Sequence, residues 1–127
     1  MSFYTDPVKP MVHPALADVT VEGIFHALSD ATRAEIFAEM CEREDPRPCT
    51  DFQNVSGRTI PKSTLSQYIR TLREAGLIRC ERRGVEMYNS TRRAEIDERF
   101  PGLIAAVLDA YARQRRPSPS LASAPPA

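Results

Sequence analysis

The chain has 127 residues, of which 42% are hydrophobic and 27% charged, and its 17 basic and 17 acidic side chains give a net charge of zero. That length suits one domain, and the absence of any apolar run of ~18 residues excludes a helical membrane span. Three cysteines without C-x-x-C spacing argue against a disulfide framework and against a zinc finger.

The zero net charge conceals a split. Residues 1–57 carry four basic and ten acidic side chains, a net of −6, whereas residues 58–93 carry nine basic and three acidic ones, a net of +6. A basic block of this kind points to a polyanionic partner. The first 17 residues, broken by Pro7, Pro10 and Pro14, lack the basic start and apolar centre of a signal peptide. They are expected to form an irregular arm on a cytoplasmic protein.

In chain order, Val21, Ile24, Phe25 and Leu28 predict a short helix from about Asp18 to Leu28. Ser29 or Asp30 caps a second, with Ile36, Phe37 and Met40 as its stripe and "EREDPRP" as its end. "CTDFQNV" offers Phe52 and Val55 for a third, short helix, after which Ser56-Gly57 turns the chain. Across Pro61–Ala75, Leu65, Ile69 and Leu72 form one buried stripe, and Gly76 closes that helix.

The period then changes. "LIRCER" and "VEMYNS" flank Arg83-Gly84 as the strands of a hairpin. Ser90 or Thr91 is expected to cap "RRAEIDERF", and Pro101 to open a last helix carrying Leu103, Ile104, Val107, Leu108 and Tyr111. The fold class expected is mainly α with a small β-hairpin, in the order of a winged helix-turn-helix. Residues 18–115 form the domain, and the Pro-, Ser- and Ala-rich residues 116–127 a disordered tail.

The last helix is apolar over more than one narrow stripe. It predicts a homodimer in which Ile24 of the first helix and Leu103, Ile104, Val107, Leu108 and Tyr111 of the last form a two-fold interface.

The helix over residues 61–75 presents Ser63, Thr64, Gln67, Arg70 and Thr71 away from its apolar stripe. Hydroxyl, amide and guanidinium groups on one face suit base edges and phosphates in a major groove. Arg82 and Arg83 on the adjacent hairpin, with Lys62 at the start of the helix and Arg58 before it, suit a phosphate strand or a minor groove. Tyr68 combines a packing ring with a hydroxyl that reaches outward. A two-fold dimer of such units predicts double-stranded DNA with an inverted-repeat operator as partner.

Two stretches carry a family resemblance. "LSDATRAEIF" is similar to the opening signature of the arsenic-repressor-like (ArsR) winged-helix regulators, and "STLSQYIRTLREAGLIRCERRGVEMY" resembles their recognition helix and wing. The resemblance spans about residues 20 to 112. It implies a dimeric bacterial repressor, released from its operator by a metal ion, an oxidant or another small signal. It also implies that Ser63, Thr64, Ser66, Gln67 and Tyr68 face DNA, with Tyr68 where a histidine is more usual.

Two departures stand out. "VSGRTIP" is longer than the family's turn, which makes Arg58 an extra phosphate contact. The family's metal boxes are incomplete, since "CTDF" supplies one cysteine and the last helix only Asp109, so neither metal nor other cofactor is expected. His13 and His26 lack ligand spacing and are assigned structural roles.

Cys41 and Cys49, joined by a charged loop, mark a candidate redox switch; the competing reading is two small, inert core residues. No nucleophile–base pair, phosphate loop or metal cluster supports an enzyme. A winged-helix protein-interaction module without DNA binding is the remaining alternative, and it calls for an apolar or acidic recognition face.

Overall fold

Thr20 starts the first helix, α1 (Val21–Ala27), by accepting a hydrogen bond from the Gly23 amide at 3.0 Å through its hydroxyl. The start expected at Asp18 belongs instead to a separate 3-10 turn, Leu16–Asp18. In this computed structural model, which describes residues 11–43 and 45–116, Asp30 caps α2 (Ala31–Cys41) through Arg33 N at 2.9 Å. An acceptor at this position satisfies an otherwise orphaned amide and is worth about 1 kcal/mol. The expected tail from residue 117 onward and the first ten residues of the arm lie outside the described residues.

The third helix expected from "CTDFQNV" is not an α-helix. Cys49–Phe52 forms a 3-10 turn, and Asn54–Val55 (β2) pairs antiparallel with Arg58–Thr59 (β3). Between Pro48 and the next turn the chain has too few residues to meet the cost of nucleating an α-helix. Phe52 and Val55 are nonetheless buried as expected. Ser56 and Gly57 both adopt positive φ, at 52° and 74°, the two-residue turn whose twist matches a hairpin. Left-handed backbone at a serine costs roughly 1–2 kcal/mol, and the hydrogen bond from Ser56 Oγ to Glu35 Oε2 at 2.5 Å offsets it.

Helix α3 (Lys62–Glu74) buries Leu65, Ile69 and Leu72 as its spacing predicts. It ends in a Schellman motif, in which Leu77 N donates to Leu72 O at 3.0 Å and Gly76 N to Arg73 O at 2.9 Å. Gly76 is required twice over: its φ is 86°, and a Cβ there would lie 2.4 Å from Val19 Cγ2.

The wing is β4 (Ile78–Arg83) against β5 (Glu86–Thr91), turning at Gly84-Val85. A strand the sequence did not announce, β1 (Arg47–Pro48), pairs with the other edge of β5, giving the order β1-β5-β4. Ser90 and Thr91 lie within β5, so neither caps the next helix; Arg92 precedes α4 (Arg93–Arg99) without a side-chain cap. Gly102, at φ 83°, breaks the chain between α4 and α5 (Leu103–Arg115), so the last helix starts two residues beyond Pro101. One core joins all five helices and the wing, with Phe37, Phe52, Ile24, Leu72 and Ile104 among its fully buried side chains.

Candidate nucleic-acid interface

Burial of Leu65, Ile69 and Leu72 fixes which face of α3 turns outward. Lys62, Ser63, Ser66, Gln67 and Arg70 are exposed, and Thr64 and Tyr68 are half-buried. Arg70 forms an exposed i,i+4 pair with Glu74 at 3.1 Å. Such a pair contributes little and exchanges easily for a phosphate. The Tyr68 ring lies beside the Arg33 guanidinium, 5.6 Å from it to the ring centroid.

The hairpin arginines sit one rung behind the tip. Val85 occupies the tip itself, 94% exposed, while Arg82 is paired across the strands with Met87 and Arg83 with Glu86. Arg83 is also held by Glu81 at 2.7 Å and lies over the Tyr88 ring at 4.7 Å, which leaves Arg82 as the less committed cation. Arg58, on the short hairpin before α3, is exposed and donates to Thr32 Oγ1 at 3.1 Å. Lys62 and Ser66 of α3 thus face Val85 and Glu86 of the wing, while Arg58 sits against the start of α2.

Two residues of the expected dimer face lie in the core instead. Ile24 and Ile104 are fully buried within their own chain and have no surface to give a partner. Leu103, Val107, Leu108 and Tyr111 are half-buried against the same core, and the Tyr111 hydroxyl donates to Leu28 O. The apolar side chains left outward on α1 are Val21 and Phe25, the latter 51% exposed, with Ala105, Ala106 and Ala110 outward on α5. Val21 and Phe25 share the spacing that predicts α1 with Ile24 and Leu28, yet they face outward while those two are buried.

The cysteines are all free thiols. Cys41 lies against Arg93 and Asp97, and burial pushes its thiol up to about 11. Cys49 instead receives Asn89 Nδ2 at 3.1 Å, and its neighbour is Cys80, whose thiol burial also pushes up. The structure thus brings Cys49 towards Cys80 rather than Cys41, because β1 and β4 flank the same residue of β5, Asn89. His13 accepts from Cys80 N at 3.0 Å, a structural role like the one assigned to it. Among the described residues no group of three or more His, Cys, Asp and Glu is placed to hold a metal ion, and no helix is long and apolar enough to cross a membrane.

Residues 28–81 match a family model described as a helix-turn-helix domain. This stretch is a helix-turn-helix. It runs from the end of α1 through α2, the 3-10 turn and α3 into the first strand of the wing. No curated protein matches the chain. Among solved structures, an ArsR-like transcriptional regulator from Rhodococcus sp. RHA1 is similar over 73% of this chain and 79% of its own, at 20% identity and a TM-score of 0.50. A homodimeric winged helix-turn-helix DNA-binding domain from Mycobacterium bovis, a possible ArsR-family transcriptional regulator, is similar over 85% of this chain and 99% of its own, at 19% identity and a TM-score of 0.57. The winged helix-turn-helix fold expected from the sequence is borne out, and the ArsR resemblance read from its two motifs agrees with both neighbours.

Proposed function

We propose that this chain is a dimeric, sequence-specific regulator of transcription that binds double-stranded DNA through α3 and the wing. One observation carries the reading: the exposed face of α3 is made of Ser63, Ser66, Gln67 and Arg70, with Lys62 at its start, the wing facing it, and exposed Arg58 on the hairpin before it. Thr64 and Tyr68 flank that face at half exposure. Gln67 matches the two hydrogen bonds of an adenine edge, the hydroxyls serve base or phosphate, and the arginines and Lys62 neutralise backbone charge. An interaction module without DNA binding would expose an apolar or acidic face there.

In this reading residues 18–115 form the DNA-binding and dimerisation unit. Two copies meet through α1 and α5, place their reading helices on an inverted repeat, and act as a cytoplasmic repressor released by a small-molecule or redox signal. Half-sites then lie about one helical turn apart or a multiple of it. Selection of bound duplexes from a random pool tests this directly. Enrichment of a two-fold symmetric site, with affinity falling steeply with salt, is the expected result. Recovery of no preferred sequence removes the base-reading assignment.

A further inference from the structure

A hollow of about 350 Å³ separates α3 from the wing, with Cys49, Lys62, Leu65, Ser66, Val85 and Met87 among its walls. A second hollow shares Cys49, Ser66 and Met87 and runs on to Arg70 and Arg73. Cys49 therefore stands at the junction of the two. Resting on the DNA reading above, we infer that Cys49 is a thiol-modification site, where a small carboxylate-bearing disulfide forms a mixed disulfide that fills the hollow and displaces DNA.

The surroundings of the sulfur support an adduct with polar groups. Asn89 is 1% exposed and holds Cys49 Sγ through Nδ2 at 3.1 Å, yet its Oδ1 is buried without a partner among the described residues. Arg73 Nε, on the wall of the second hollow, is buried and unpartnered in the same way. The orphaned acceptor beside the Cys49 thiol, and the orphaned donor of Arg73, whose guanidinium otherwise reaches Met11 Sδ and the Cys80 thiol, are each costly unless something pairs them. Lys62, Arg70 and Arg73 line the two hollows against the single carboxylate of Glu86, which favours an anionic occupant.

The other two thiols are poorer candidates. Cys80 is buried and Cys41 lies elsewhere, against Arg93, and burial keeps both protonated and so less nucleophilic. The chemistry is a thiol–disulfide exchange. Cys49 loses its proton to solvent, its thiolate attacks one sulfur of the disulfide, and the new S–S bond forms as the old one breaks. The departing thiolate takes up a proton, so no further oxidant is needed. Because Lys62, Ser66 and Arg70 are proposed DNA contacts as well as walls of the hollows, adduct and DNA compete for the same groups.

The test uses the full chain, glutathione disulfide as probe, and the duplex recovered by selection. Peptide mapping is expected to find the adduct on Cys49, with operator affinity lowered at least about tenfold and restored by reductant. Cys49→Ser is expected to bind the duplex like untreated wild type and to ignore the probe, while Cys41→Ser and Cys80→Ala respond as wild type does. Absence of an adduct, an adduct on Cys41 or Cys80 alone, an internal Cys49–Cys80 disulfide in its place, or unchanged affinity of the Cys49 adduct overturns the inference. Should the untreated chain bind no duplex, the DNA reading fails by itself. The modification site is then decided by the adduct map together with faster amide exchange in residues 62–70 and 85–87, and without both it falls.

Discussion

Arg33 holds its guanidinium 5.6 Å from the centroid of the Tyr68 ring while donating to Ala27 O at 2.5 Å and His26 O at 3.0 Å. One side chain of α2 thus closes the open carbonyls at the end of α1 and supports the back of the helix proposed to read DNA. Arg33→Ala is expected to cost about 1–3 kcal/mol by urea unfolding. Arg33→Lys should recover only part of it, because an ammonium cannot serve two carbonyls and a ring face at once. An unchanged midpoint for Arg33→Ala would remove this linkage.

Base reading and backbone attraction separate by residue. Gln67→Ala is expected to lose about 1–3 kcal/mol of discrimination at one position of each half-site, with affinity for random DNA unchanged. Arg82→Ala is expected to weaken all sequences alike and to reduce the salt slope by about 1. Arg83→Ala should do less, since Glu81 already neutralises that guanidinium. Binding titrations at several salt concentrations, on selected and random duplexes, decide the order.

The proposed dimer face gives a cleaner variant at its outward α1 position than at the α5 leucines. Phe25→Glu places a charge on an exposed ring position and is expected to yield folded monomers, with unfolding changed by no more than about 1 kcal/mol. Leu108→Glu, by contrast, charges a side chain packed on its own core and is expected to unfold the chain. Sedimentation at micromolar concentration checks both. A wild type that sediments as a monomer removes the proposed assembly.

His13 gives the fold a dependence on pH. Its ring is held below the ordinary histidine range, chiefly by burial and also by Arg79, Arg73 and Arg92, while the hydrogen bond between Nδ1 and Met11 O opposes the shift. Nε2 must stay unprotonated to accept from Cys80 N. The depressed value means that the unfolded chain binds the proton first. This contribution to stability is therefore complete above pH ~6.5 and is lost as pH falls through that value towards the folded one. His13→Gln is expected to flatten the acid side of the stability profile below pH ~6.5.

The elements with strong local signals were legible in the sequence. Leu65, Ile69 and Leu72 followed by Gly76 define α3 without help from the rest of the chain, and Asp30 marks the start of α2. The alternation of Ile78 and Cys80 with Arg79 and Glu81 defines β4 in the same way. The proposed contact residues followed from α3, because its stripe leaves the opposite face to solvent.

What was not legible depends on distant pairing. Two residues, one of them proline, carry no strand pattern, so β1 appears only once β5 is beside it. In α1, apolar residues at 21, 24, 25 and 28 cover more than one side of seven residues. Periodicity alone does not say that Ile24 faces the core and Phe25 the solvent. Cys41 and Cys49 are near in sequence, whereas the proximity of Cys49 to Cys80 is created by the order of strands in the sheet.

That sheet also sets the order in which the molecule can assemble. Arg47 meets Asn89 across β1 and β5, so their pairing closes a loop of about 40 residues that contains the β2–β3 hairpin, all of α3 and β4. The hydrogen bonds inside each helix and inside the wing hairpin join near neighbours in sequence, and those of β1 do not. The pairing of β1 must wait until α3 has folded back and the wing is in place, since the loop entropy is spent before those hydrogen bonds are gained. The step that completes the sheet is also the one that seats Cys49 against Asn89. The cleft beside α3 is therefore complete only once the edge strand is paired, and it opens when that strand frays.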